Sequence, residues 1–125
     1  MKHISLTIGL VCLASAALAQ DPVKVDPKHY RAEFENARVR VLHIQYGPHE
    51  KSVMHRHPAA VAVFLSDQDA KFTMPDRKTI ERHGKAGQAL WMAAETHLPE
   101  NVGDKPLDVI LVELKGGGPG AKRPQ

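Results

Sequence analysis

Sulfur, aromatic side chains and charge of one sign are all scarce in this chain. Of 125 residues one is cysteine, and Phe, Trp and Tyr together make up 5%. Cys12 lies inside an apolar N-terminal run, so the remainder of the chain has no thiol. Disulfides, thiolate catalysis and sulfur-ligated zinc are thereby excluded from it. The 17 Lys+Arg nearly balance the 14 Asp+Glu, and the +3 that remains is spread out, with no basic run longer than two. Such a chain lacks the electrostatic footprint of a nucleic-acid binder. Hydrophobic residues at 42% and charged residues at 25% argue equally against global disorder and against several membrane spans.

The N-terminus has the three parts of an export signal. Lys2 supplies the positive start, Ile4 to Ala16 the apolar run, and Ala17-Leu18-Ala19 the small-x-small pattern that signal peptidase reads. Residues 1–19 are read as the signal peptide, with Gln20 first in the mature chain. The run contains Ser5, Thr7 and Ser15 and falls short of the roughly 20 apolar residues of a bilayer span. Cys12 sits mid-run, the wrong place for a lipoprotein cysteine. The expectation is a protein of the periplasm, or a secreted one where there is no outer membrane, not inserted in the membrane after cleavage.

Beyond Gln20 the pattern is short β-type runs broken by turn residues. Residues 21–29, with two prolines, read as an extended lead-in. Strands are expected at Tyr30–Glu35, Ala37–Tyr46, Val53–His57, Ala60–Ser66, Ala70–Met74, Thr79–His83, Gln88–Ala93 and Leu107–Leu114. The apolar run Ala60–Ser66 suggests a strand buried on both faces. No segment offers a helical stripe, and turns recur about every eight to twelve residues, as in a sandwich or barrel of antiparallel strands. One β domain over 28–115 is expected, followed by a disordered Gly/Pro-rich tail over 116–125.

Histidine is what the chain has in quantity. Seven of its eight histidines lie after the signal: His29, His43, His49, His55, His57, His83 and His97. Many imidazoles without thiols suggest a nitrogen-ligated metal. His55-Arg56-His57 is a strand segment, and side chains two apart on a strand point to one face, about 6–7 Å apart. By itself that pattern equally describes two histidines on a strand surface. His97 follows about 40 residues later, with Asn101 four positions on.

Gly47, His55-x-His57, an apolar strand, the Gly84–Gly87 loop and His97-x-x-x-Asn101 together resemble the motifs of a small single-domain cupin, over about residues 33–114. The resemblance implies an all-β fold, a double-stranded β-helix or jelly-roll barrel of short antiparallel strands. It also implies a facial set of metal ligands, His55, His57 and His97, for a divalent ion such as Fe, Zn, Mn, Ni or Cu, and a homodimer. Departures from the pattern matter. The acidic ligand of the first motif would fall at 61 or 62, which are Val61 and Ala62. The loop from Gly47 to His55 is two residues longer than usual, and the Pro and second Gly of the second motif are replaced around Met92 and Ala94. Three neutral ligands leave more positive charge on the metal than three plus a carboxylate, which favours an anionic or bidentate substrate.

Other residues are candidates for the pocket. His49 could cap it or ligate. Glu50 and Glu95 are the nearest carboxylates for a missing ligand or a general base, and Glu95 shares the face of His97 if that segment is extended. His43 is read as a core or cavity-wall histidine, and Asn101 as a brace of its own turn. Phe64, Phe72, Trp91 and Met92 are expected in the core, with one or two reaching a cavity. Met54, Met74 and Met92 supply thioethers, soft ligands for copper(I) that more often fill core gaps. Three functions follow: a small metalloenzyme (dioxygenase, isomerase or lyase), a non-catalytic exported module for a small ligand or metal, or a vestigial cupin used as a structural domain. An immunoglobulin-like sandwich is the rival fold, and it would scatter the three histidines.

Overall fold

In the computed structural model the described residues are 20–116; the signal peptide expected at 1–19 and the tail from 117 onward lie outside them. Nine strands carry the fold: β1 (Tyr30–Glu35), β2 (Val39–Tyr46), β3 (His55–His57), β4 (Ala60–Phe64), β5 (Gln68–Thr73), β6 (Thr79–Gly84), β7 (Ala89–Met92), β8 (Glu95–Asn101) and β9 (Leu107–Leu114). They form two antiparallel sheets, β1-β2-β9-β4-β7 and β3-β8-β5-β6. This is the all-β, jelly-roll arrangement that the turn spacing and the motif resemblance predict.

Period-two alternation decides which side chains meet. In β9, Leu107, Val109, Leu111 and Glu113 are buried and the residues between them half-buried. Leu42, Ile44 and Tyr46 of β2 and Ala60 and Ala62 of β4 lie on the same inner face, and Ala70 of β5 closes on them in the core. Central β9 pairs with β2 along eight positions and with β4 along five, so a long strand that is paired on both edges sits in the middle of the sheet.

Three sequence expectations need correction. β4 is not buried on both faces: Ala60 and Ala62 are, whereas Val61 and Val63 are half-buried on the outer face. Its apolar run is satisfied sideways, Val61 lying between Val112 and Trp91. Residues 21–29 are not an extended lead-in. They contain a helical turn, α1 (Pro22–Val25), with Pro at its start and the Asp21 side chain accepting from the Val23 N–H at 3.0 Å. An Asp-Pro pair is a helix-start signal, overridden in the sequence reading by the second proline. Finally, β8 was not expected. Its sequence ETHLPEN is polar and contains Pro99, which normally demotes a strand. Pairing with β3 covers only residues 95–97, so the missing N–H of Pro99 falls beyond that ladder.

Glycine is required at two turns. Gly87 has φ of +85° in the turn between β6 and β7, a conformation that L side chains avoid. At Gly84 a Cβ would collide with the Phe64 ring.

Candidate metal centre

β3 and β8 lie side by side, with His55 opposite His97 and His57 opposite Glu95. Strand alternation turns all four side chains to the inside, and the three imidazoles are almost completely buried, at 0, 6 and 4% exposure for His55, His57 and His97. Their ligand atoms all lie within 4.8 Å of one another. The His55 and His57 Nε2 atoms are 3.1 Å apart. Ligands at about 2.1 Å from one ion would stand roughly 3.0–3.4 Å apart in octahedral or tetrahedral geometry. A small closing movement of His97 meets that requirement.

The other ring nitrogens settle which way the imidazoles are used. His55 Nδ1 donates to the Val53 carbonyl (2.8 Å), His57 Nδ1 to Glu113 (3.0 Å), and His97 Nδ1 to Glu95 (3.1 Å). A carbonyl or a carboxylate can only accept, so each neutral ring carries its proton on Nδ1 and presents an Nε2 lone pair. Burial, reinforced by the neighbouring imidazoles, pushes the pKa of His55 down to about 3 and that of His97 to about 4. His55 and His97 are therefore neutral rings whose Nε2 lone pairs are free to ligate, and His55 Nε2 lies 3.1 Å from His57 Nε2. The donor set fits a divalent metal.

Behind the histidines stands a layer of tied carboxylates. Glu113, on the inner face of β9, also accepts from Arg40 Nε at 2.6 Å, and Arg40 reaches Asp21 at 2.7 and 3.1 Å. Glu95 receives Arg82 Nη2 on both oxygens at 2.9 Å, and the Arg82 guanidinium lies 4.4 Å over the Phe72 ring. Burial raises the pKa of both carboxyls, but the bonds from His57 and Arg40 to Glu113, and from Arg82 and His97 to Glu95, outweigh it and leave both below the usual value. Such partners fix tautomer and ring orientation. Ser52 Oγ, itself donating to Asp26 at 2.5 Å, lies 3.4 Å from His55 Nδ1.

The remaining sequence candidates fall elsewhere. Glu95 does share the face of His97, yet it meets Nδ1, not the Nε2 cluster. Glu50 closes its own turn, accepting the Gly47 N–H at 2.5 Å and pairing with Lys28, with its pKa held at about 2 by those bonds. A Cβ at position 47 would clash with it. His49, at φ 61°, bonds exposed Asp104 at 2.8 Å. His43 is not a cavity-wall residue: it is on the outer face, bonded to Asp108 (2.5 Å) and Glu33 (3.2 Å). Trp91 is not core either. Leu90 and Met92 take the inner face of β7, which leaves Trp91 outside and 63% exposed. Asn101 braces its turn, donating to the Gly47 and Lys105 carbonyls at 3.0 and 2.8 Å. Sequence reasoning missed Glu113. Its signal was a charge at an inward position of the otherwise apolar strand Leu107–Leu114.

His57 and His97 open onto a cavity of about 330 Å³ between the two sheets, which Phe64, Phe72 and Met92 also line. Met54 and Met74 are not among its lining residues.

No protein-family model matches the chain, and no curated protein matches it. Solved structures do. A cupin domain from Bordetella pertussis Tohama I superimposes with a TM-score of 0.64 at 19% identity, over 70% of this chain and 92% of that one. A cupin with a double-stranded β-helix fold from Methanocaldococcus jannaschii gives 0.55 at 15%, over 68% and 77%. The polyketide cyclase RemF from Streptomyces resistomycificus gives 0.52 at 13%, over 68% and 63%.

Proposed function

The chain has the cupin fold, and we propose that it is an exported metal-dependent cupin. In this reading His55, His57 and His97 hold one divalent ion through Nε2, and a small molecule with an anionic or bidentate oxygen head reacts there. The observation that carries it is the orientation of the imidazoles: every Nδ1 is occupied by an acceptor, and the Nε2 lone pairs converge. A metal bound there would act as a Lewis acid, polarising the oxygen head of the substrate.

The chain's own residues set the remaining conditions. Three neutral imidazoles leave the ion's full double charge in a water-poor cavity, so an anionic head is favoured. Glu95 and Glu113 orient His97 and His57. Because both oxygens of each are engaged by Arg or His, neither is free to take a proton from substrate. Reactions starting from an already ionised head, in the dioxygenase, isomerase or lyase classes, suit such a site. The lack of a free base near the imidazoles also supports a second reading, a non-catalytic periplasmic carrier of a small ligand or metal.

Mature protein purified untagged from the export compartment tests the proposal. About one equivalent of divalent metal is expected, and none in the His55→Ala/His97→Ala variant. Metal-free protein that takes up no Fe, Zn, Mn, Ni or Cu on titration would overturn it. Turnover by the loaded protein, against stoichiometric ligand retention, separates the enzyme from the carrier.

A further inference from the structure

The cavity tells more about the ligand than the histidines do. Ala60 and Ala62 on β4 and Ala70 on β5 occupy inward, buried positions, at 0, 4 and 5% exposure. The neighbouring inner positions on β2 and β9 carry Leu, Ile and Val. Larger side chains at the three alanines would fill the space between the sheets, and methyl groups leave it as a cavity of about 330 Å³. Protein interiors are otherwise close-packed, and an unfilled apolar space is destabilising. For scale, an apolar cavity of about 150 Å³ accepts benzene.

Most polar groups in the wall are turned to protein partners, though Arg82 Nη1 is buried without one among the described residues. The Tyr30 and Tyr46 hydroxyls bond each other at 2.6 Å. Asn101 holds its turn, and the Gln68 amide donates to the Ser66 carbonyl at 2.8 Å. Arg82 is held by Glu95 and stacked on Phe72. Glu81 and His83 of the lining are mostly solvent-exposed. A hydroxyl-rich body in the interior would give up its water for few replacement bonds, a single Arg82 donor against several hydroxyls, at a cost that disfavours sugars and nucleosides.

We propose that the ligand has a compact hydrocarbon body about the size of two fused six-membered rings, seated over Ala60, Ala62 and Ala70, with its single anionic oxygen head at His57 and His97. This rests on the metal reading of the histidines for its head and on the alanine-floored cavity for its body. Ala62 and Ala70 are then specificity-determining residues.

The test is calorimetric titration of protein loaded with Zn(II). Three probes are used: 1-hydroxy-2-naphthoate, salicylate (the same head on one ring) and gluconate (a carboxylate and hydroxyl on a polar body). The naphthoate is expected to bind at least about tenfold tighter than salicylate, because the second ring is buried. Gluconate should bind weakest. Ala62→Leu should keep its equivalent of zinc and lose at least tenfold in naphthoate affinity. Ala70→Val, a smaller intrusion, should lose affinity in the same direction if Ala62→Leu does not fold. Equal binding of the two aromatic probes, tighter gluconate, or unchanged naphthoate binding in both variants overturns the proposal while zinc remains bound. Protein that takes up none of Zn, Fe, Mn, Ni or Cu overturns the metal reading instead. Naphthoate still bound by it, and lost in Ala62→Leu, would support the cavity assignment alone.

Discussion

An imidazole that offers Nε2 to a metal must have its Nδ1 proton held elsewhere, and here the three holders differ. His55 uses a backbone carbonyl, His57 uses Glu113 and His97 uses Glu95. Removing a carboxylate frees the ring to rotate or change tautomer, an effect of about 10–100-fold on metal affinity at comparable sites. Glu113→Ala is therefore expected to weaken zinc binding by that factor in competition with a chromogenic chelator. An affinity equal to the wild type would show that Glu113 only buries itself against Arg40. The lowered histidine pKa values have a second consequence for the metal-free protein. On unfolding, His55 and His97 return to about 6.5 from about 3 and 4. Between those limits the unfolded chain binds more protons, so stability is full above pH 6.5 and falls as the pH drops. The slope is about 1.4 kcal/mol per pH unit for each histidine. Urea midpoints between pH 7 and 4 check this, and a flat profile contradicts it. At this scale the three clustered histidines were legible, His55 and His57 from strand spacing and His97 from the motif resemblance. Glu113 was not, because its contact with His57 spans 56 residues and depends on which strand lies beside which.

Among the elements, the pairing of β3 with β8 brings the three histidines together, and half of that pair was hidden. His55-x-His57 reads as a strand from alternation alone. ETHLPEN does not, because charge and proline outweigh its period-two pattern until the ladder to β5 and β3 is known. The outward placing of His43 and Trp91 was obscured for a related reason: alternation says that two faces exist, and only the packing of the second sheet says which is inside. Turns were easier to read. Gly84→Ala is expected to cost about 1–3 kcal/mol, since the new Cβ must displace the Phe64 ring. Urea unfolding measures it, and a neutral result would mean the ring shifts freely. Asp26, the buried acceptor for His29 (2.7 Å) and Ser52 (2.5 Å), ties the segment after α1 to the turn before β3. Asp26→Ala should destabilise the domain by a further 1–3 kcal/mol or so. Loss of less than a few tenths would deny that the tie contributes.

For the whole molecule, the two sheets form a container more than a filled core. Leu42, Ile44, Leu107, Val109 and Leu111 supply the apolar burial, and Ala60 and Ala62 beside them, with Ala70 on the other sheet, keep the middle open. Composition and turn spacing made the all-β class legible, and the motif resemblance supplied the jelly roll. The cavity was not legible, because alanine in a strand carries no mark of whether a neighbour fills the space above it. A ligand that binds only the folded form stabilises it by mass action. Zinc at a hundred times its dissociation constant should add about 2.7 kcal/mol, on the order of 10 °C in Tm for a domain of this size, reversed by chelation. The most direct test of the central claim is X-ray absorption at the metal edge of the zinc-loaded mature protein. The account predicts three imidazole nitrogens at about 2.0–2.1 Å and no protein carboxylate in the shell, a pattern lost in His55→Ala/His97→Ala. A shell containing Glu95 or Glu113 oxygen, or one unchanged in the double variant, would contradict it.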